Sequence, residues 1–138
     1  MVTYVLDASA LVRFLDGKDG AERVKNIFAD AANAECKVVI SAVNWGEVTG
    51  VVAKRHGRAL ADGLHAELAP YGLEVVPVTA ERAHRASYIK LELGIPFADC
   101  FAVELASASE RVLVTADFDF KPAADSISVE FLPAISRL

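Results

Sequence analysis

The sequence predicts an α/β protein: a parallel sheet of four to five strands, with helices covering both faces. Segments rich in β-forming residues alternate with segments of helical spacing, which is typical of parallel sheets connected through helices. The chain has 138 residues, the usual size for one domain, and its apolar fraction of 54% is too high for a disordered protein. No repeat or linker divides it, so we expect a single domain over residues 1–138.

The first part of the chain is predicted to contain two strands and three helices. The first strand stops at Asp7, and the second is followed by Ser41, a good residue for beginning a helix. The helix between the strands places Val24, Ile27 and Phe28 on one apolar stripe. In order, we predict a strand over Val2–Leu6, a helix over Ala8–Leu15, a turn over Asp16–Gly20, a helix over Ala21–Glu35, a strand over Lys37–Ile40 and a helix over Ala42–Lys54.

The rest of the chain continues the alternation. Gly57 breaks the helical pattern, Thr79 can cap a helix, and Gly94 can end one. In order, we predict a helix over Ala59–Leu68, a strand over Leu73–Val76, a helix from Thr79 to Leu93, a helix of small residues over Ala98–Ser109, a strand over Arg111–Thr115 and a short strand over Ser128–Phe131.

Composition excludes several classes of protein. No apolar run approaches the ~18 to 20 residues that a membrane span needs, and the first residues lack the basic region of a secretory signal. The two cysteines, Cys36 and Cys100, have no paired spacing, so we expect neither a disulfide framework nor a cysteine-based zinc site, and we expect the cytoplasm as the location. The net charge of −5 argues against holding nucleic acid by phosphate neutralisation alone.

Acidic residues occur where the predicted strands end or the helices begin. Ligands of open parallel sheets bind at the carboxyl ends of the strands. Asp7 directly follows the first strand, and Asp99 lies in the first turn of its helix. Asn44 and Glu47 are three residues apart and share a helix face. The acids that we expect to converge are Asp7, Glu47, Asp99, Asp117 and Asp119.

Converging carboxylates without histidine or cysteine ligands suit a hard cation. Mg²⁺ and Mn²⁺ prefer carboxylate and water oxygens. Such ions can activate water for attack on a phosphodiester and brace its oxygens. They also reverse the sign of an acidic cluster that would otherwise repel phosphate. An acidic protein with this pattern can therefore be a nuclease.

Four segments of the chain resemble, in order, the motifs of PIN-domain nucleases, in the form typical of bacterial VapC-type toxins. They are Tyr4–Ala10, Ile40–Val48, Gly94–Val103 and Leu113–Phe120. The resemblance implies a PIN-like fold and Mg²⁺- or Mn²⁺-dependent endoribonuclease activity. It carries a catalytic and metal-binding role onto Asp7, Glu47, Asp99 and Asp117, with Asp119 as a variable extra acid. Ser9, Asn44 and Thr115 match polar residues that orient carboxylates or water.

The resemblance also implies partners. Proteins of this family cut RNA, usually dimerise, and are usually silenced by a small antitoxin that is encoded beside them and covers the acidic pocket. We therefore expect an RNA substrate, a homodimer and a toxin–antitoxin hetero-oligomer. An inserted segment of the antitoxin is expected to carry Arg or Lys, because an acidic pocket favours a cation.

Three alternatives are weighed against the nuclease. A phosphatase with an aspartate nucleophile needs a second acid two residues after Asp7, where this chain has Ser9. A receiver-like signalling domain needs an acidic pair after the first strand and an aspartate after the third, where the chain continues as Pro77–Thr79. A non-catalytic binding module with a PIN-like fold is the third alternative, and the presence of acids in all four motifs argues against it.

Overall fold

A computed structural model describes residues 1–133 and contains five strands and six α-helices in this range. Residues 134–138, which the single-domain prediction includes, lie outside the described residues. The strands are β1 Thr3–Leu6, β2 Lys37–Ser41, β3 Leu73–Val76, β4 Arg111–Thr115 and β5 Ser128–Phe131. The helices are α1 Ala8–Asp16, α2 Ala21–Ala32, α3 Ala42–His56, α4 Arg58–Leu68, α5 Ala80–Leu93 and α6 Phe97–Ala106, with 3-10 segments at Ala69–Tyr71 and Phe118–Ala123.

The five strands form one parallel sheet in the order β3-β2-β1-β4-β5. Strand β1 lies at the centre, where Leu6 pairs with Ile40 of β2 and with Val114 of β4. Because all pairs are parallel, the segments that follow the strands leave from the same edge of the sheet. The predicted α/β class and parallel sheet are confirmed, and the sheet has the larger of the two strand numbers expected.

Helices pack on both faces of the sheet and give the protein two cores. Leu6 belongs to the core formed with helices α1 to α4, whereas Val5 belongs to the core formed with α5 and α6. Val38 and Val39 divide in the same way on β2. Successive side chains of a strand point to opposite faces, so the continuous apolar composition of these strands is explained by burial on both sides.

Several predicted boundaries are wrong. Helix α2 ends at Ala32 rather than at Glu35, because Asn33 leaves the helix and Ala34 adopts a left-handed conformation with φ 59°. Helix α6 covers Phe97–Ala106 rather than Ala98–Ser109, and Glu110 turns the chain into β4 with φ 60°. Strand β1 begins at Thr3 rather than at Val2, α3 continues to His56, and α4 begins at Arg58. The 3-10 segment Phe118–Ala123 was not predicted.

None of the helices within the described part of the chain is both long and apolar enough to cross a membrane.

Candidate active site

The end of strand β1 carries a buried carboxylate that three neighbours hold in place. Asp7 caps helix α1, and its Oδ1 atom accepts a hydrogen bond from the Ala10 N–H at 2.9 Å. The Ser9 hydroxyl lies 2.8 and 2.9 Å from the two carboxylate oxygens, and the Thr115 hydroxyl donates to Oδ2 at 2.7 Å. Thr115 ends β4, the neighbour of β1, so these bonds join the carboxyl ends of two adjacent strands.

The protons in this network point at Asp7. Each hydroxyl has one proton. The Ser9 hydroxyl accepts from the Ala116 N–H at 2.9 Å and the Thr115 hydroxyl from the Asp117 N–H at 3.0 Å, so each can direct its own proton to the carboxylate. Burial raises the pKa of Asp7 to about 6, the charge of Asp117 adds to the rise, and the three hydrogen bonds oppose it. Asp7 is therefore an ionised acceptor at neutral pH.

Replacing Thr115 by valine tests this network. Thr115→Val keeps the shape but removes one donor to the ionised carboxylate, so we expect the free energy of unfolding to fall by about 2 kcal/mol at pH 8. The loss should be smaller at pH 5, where the Asp7 carboxyl, with a pKa of about 6, is mostly protonated. Denaturant unfolding at both pH values measures the difference, with Thr115→Ser as the matched control. An equal loss at both pH values would contradict the assignment of the charge to Asp7.

A second carboxylate, that of Glu47, lies on α3, the helix that follows strand β2. Ser41 caps α3 by accepting a hydrogen bond from the Val43 N–H at 3.3 Å. The buried Asn44 Nδ2 donates to Glu47 Oε1 at 2.9 Å and to the Ala98 carbonyl at 3.1 Å. Glu47 is exposed. The Asn44 amide therefore binds a carboxylate that is otherwise in solvent and joins α3 to the beginning of α6.

The loop between α5 and α6 positions Asp99. Gly94 ends α5 with φ 67°, and the Lys90 ammonium donates to the Ile95 carbonyl at 2.7 Å. The Asp99 N–H then donates to the Pro96 carbonyl at 3.0 Å and closes the first turn of α6. The carboxylate thus lies at the positive end of the helix dipole.

The other acids surround Asp99. Its Oδ2 atom is buried and has no hydrogen-bond partner among the described residues. Burial raises the pKa of Asp99 to about 7, and the charges of Asp117, Asp7, Glu47 and Asp119 add to the rise in that order. All five acids proposed from the sequence therefore lie close enough to interact electrostatically at one site.

The acids of the site differ in exposure, and Asp7 is the most deeply buried of them. Asp7 is only 4% exposed, Asp99 and Asp117 are partly exposed, and Glu47 and Asp119 are exposed. The Asp117 Oδ1 atom accepts from the Asp119 N–H at 2.9 Å, which begins the 3-10 segment. The structure thus brings together all eight residues named from the sequence, at the edge where the strands end.

A hard divalent cation fits the chemistry of these donors, although the acids do not form a compact cage. Within residues 1–133, no three His, Cys, Asp or Glu side chains are close enough together to hold one ion. The metal-binding role expected of Asp7, Glu47, Asp99 and Asp117, with Asp119 as a variable extra acid, stays a prediction. Mg²⁺ usually needs only one or two carboxylates and keeps several waters. Asp99 Oδ2 and Asn44 Oδ1 are buried oxygens without partners in the described region and suit such a shell.

Sequence reasoning missed a basic pocket that adjoins Asp7 through Ser9. The pocket has a volume of about 410 Å³ and is lined by Ser9, Val12, Arg13, Asp16, Lys18 and Arg55. Arg55 reaches it from α3 through an ion pair with Asp16 of 2.6 Å. Arg55 is far along the chain from Arg13 and Lys18, so only the packing of α1 against α3 could reveal the pocket.

Comparison with known proteins finds one family and a set of related folds. The family model of the PIN domain matches residues 4–125. No significant match was found among curated proteins.

Similar solved structures come from bacterial toxin–antitoxin systems. A chain of the DNA-bound VapBC complex from Salmonella typhimurium superposes with a TM-score of 0.72 at 17% identity, covering 95% of this chain and 98% of that chain. VapC20 from Mycobacterium tuberculosis, described as a sarcin-ricin loop cleaving toxin, gives 0.64 at 18% identity, covering 94% and 99%. A VapBC-5 chain from the same organism gives 0.60 at 20% identity, covering 97% and 100%. At these identities the likeness is one of fold.

Proposed function

This chain belongs to the PIN domain family, and we propose that it is an endoribonuclease dependent on Mg²⁺ or Mn²⁺ that acts as the toxin of a toxin–antitoxin pair. The observation that carries the proposal is the Asp99 carboxylate: it has a buried oxygen without a partner, and burial together with four neighbouring acids raises its pKa. Such an arrangement is unfavourable for a metal-free protein, and a bound cation relieves it.

The residues of the chain divide the work of holding the site. Asp7 is fixed by Ser9 and Thr115, and Glu47 by Asn44, so these carboxylates keep their positions as the acidic site gains or loses a cation. Fixed ligands of this kind avoid reorganisation during the reaction. When bound, the divalent ion supplies a Lewis acid that activates water for attack on the phosphodiester.

The basic pocket supports the proposal that this acidic protein holds RNA. Arg13, Lys18 and Arg55 line it, and Asp16 is its single acid. Because Ser9 belongs to both the pocket and the Asp7 network, a strand whose phosphates lie against these cations passes directly to the acids. The sarcin-ricin loop cleavage described for VapC20 is consistent with an RNA substrate.

The partners follow from the same charge distribution and from the related folds. VapBC complexes pair a toxin with an antitoxin, and we extend this arrangement to the present chain, as a homodimer bound by a small antitoxin in the cytoplasm. An antitoxin residue that enters the site is Arg or Lys, because a cation compensates the acids in place of the metal. Co-expression with the adjacent reading frame, followed by co-purification, checks this partner.

RNA cleavage by the purified chain tests the proposed function. With Mg²⁺ or Mn²⁺, we expect cleavage that leaves 5′-phosphate and 3′-hydroxyl ends, because water is the attacking group. EDTA should stop the reaction. Cleavage that persists in EDTA, or that leaves 2′,3′-cyclic phosphate, would contradict the mechanism. Binding of RNA without any cleavage would favour the non-catalytic module.

A further inference from the structure

An exposed aromatic residue lies between two of the site acids. Phe118 follows Asp117 directly and precedes Asp119, and 50% of it is exposed. Phe120, two residues later in the same 3-10 segment, is completely buried in the core. Phe120 therefore packs in the core and Phe118 stays at the surface, although burial of a large apolar side chain stabilises a protein.

The ring of Phe118 is held at the carboxyl edge of the sheet. It stacks on Phe131 with the ring centroids 5.4 Å apart and an angle of 21° between the planes. Phe131 ends β5 and pairs in register with Thr115, whose hydroxyl donates to Asp7. The register therefore places the stacked rings beside the network of the deepest site acid.

A cation accompanies the ring. The Lys121 ammonium lies over the ring of Phe118, 5.7 Å from its centroid, so a base that stacks on this face displaces the ammonium from the ring. Proteins that bind single-stranded nucleic acid combine aromatic rings, on which unpaired bases stack, with cations that meet the phosphates. A braced, half-exposed ring and a lysine, next to an acidic site proposed to cleave RNA, match this combination.

We propose that Phe118 stacks on an unpaired base of the RNA at the acidic site, while Lys121 meets a neighbouring phosphate. This inference rests on the proposed function and names the residues that hold a base and a phosphate beside the acids. A base inside a duplex has no free face to offer the ring, so duplex RNA gains nothing from Phe118.

Binding of RNA by variants of Phe118 tests the inference without relying on cleavage. The probe is a short unpaired RNA with one 2-aminopurine between uridines, and the comparison is the same RNA in a duplex, both with Ca²⁺ to offset the charge of the acids. Phe118→Ala and Phe118→Leu should weaken binding of the unpaired RNA by about 5- to 100-fold, the effect of losing one stacked base. Phe118→Tyr and Phe118→Trp should restore it.

Controls separate stacking from packing. Leucine keeps the apolar contact with Phe131 but has no aromatic face, so wild-type binding by Phe118→Leu would overturn the inference. Tyr71 is also aromatic and 45% exposed but precedes β3 at the opposite edge of the sheet, so Tyr71→Ala should bind the unpaired RNA as the wild type does. Quenching of 2-aminopurine should occur with the wild type and disappear with Phe118→Leu. Thermal melts verify that each variant is folded.

The outcomes distinguish this inference from the proposed function. Cleavage by the wild type, with equal affinity of Phe118→Ala and wild type for unpaired RNA, overturns the role of Phe118 and leaves the nuclease in place. Stacking without cleavage supports the base site and contradicts the catalytic proposal. A wild-type chain that binds unpaired and duplex RNA equally, or neither, overturns the inference.

Discussion

Asp99→Asn is expected to lower the rate of RNA cleavage by about 100- to 1000-fold, because a divalent ion contributes several kcal/mol to the transition state and the variant loses a carboxylate that holds it. The substitution is well suited to the site. The Asp99 Oδ2 atom has no hydrogen-bond partner among the described residues, so the amide of asparagine breaks no bond there. The initial rate in saturating Mn²⁺ measures the effect.

Asp7→Asn should lose a similar factor and should also destabilise the protein. The asparagine NH₂ group would face the hydroxyls of Ser9 and Thr115, which already accept from backbone N–H groups. Activity should therefore be compared only after a thermal melt of this variant.

RNA-binding measurements and a control variant show whether Asp99→Asn loses catalysis rather than RNA binding. In EDTA, affinity for RNA should not fall in Asp99→Asn, since removing a negative charge from the metal-free site weakens repulsion of the phosphates. Asp62→Asn changes an exposed aspartate on α4 and should cleave at the wild-type rate. Near wild-type cleavage by both Asp7→Asn and Asp99→Asn would show that the reaction takes place elsewhere on the protein.

The sequence was sufficient to predict the sheet and the convergence of the acids, because both depend on local patterns. Buried strands on both faces produce continuous apolar runs, and Asp7 and Asp117 stand at strand ends where a parallel sheet collects side chains. The spacing of Asn44 and Glu47 predicted a shared helix face, and the 2.9 Å bond between them confirms it.

The remaining features depend on packing between segments that are distant in the chain. The stack of Phe118 on Phe131 requires β5 to lie beside β4, and the basic pocket requires Arg55 of α3 to meet α1. The end of α2 was missed because Ala34, rather than a glycine, takes the left-handed conformation. Neither side-chain identity nor periodicity contains this information.

In EDTA near pH 8, Asp99→Asn is expected to melt at a higher temperature than the wild type. A carboxyl group with its usual pKa of 3.8 in the unfolded chain and a pKa of about 7 in the folded protein costs folding free energy wherever it must ionise. Stability is therefore full below about pH 4 and is lost as the pH rises through 7. After allowance for solvent screening of this partly exposed group, the cost is about 1 to 2 kcal/mol.

The helix dipole opposes this effect, and the magnitudes decide the sign. A carboxylate in the first turn of a helix stabilises it by about 0.3 to 1 kcal/mol. Burial and repulsion from the four acids outweigh that gain, as the raised pKa of Asp99 indicates. The melting temperature of Asp99→Asn should thus exceed that of the wild type by roughly 3 to 6 °C near pH 8. The difference should shrink towards pH 5 and vanish only below about pH 4, where the carboxyl is protonated in the unfolded chain as well as in the folded protein.

With added Mn²⁺, the wild type should melt at a higher temperature than Asp99→Asn. A ligand present at 100 times its dissociation constant and bound only by the folded state stabilises by about 2.7 kcal/mol, so millimolar Mn²⁺ should raise the wild-type melting temperature and leave Asp99→Asn nearly unchanged. Asp62→Asn should follow the wild type in both buffers, because its acid lies on α4 outside the site. If the wild type ignores Mn²⁺ and Asp99→Asn melts lower in EDTA, Asp99 stabilises its helix and holds no cation. Because the proposal is carried by the Asp99 carboxylate, that result would remove its physical basis.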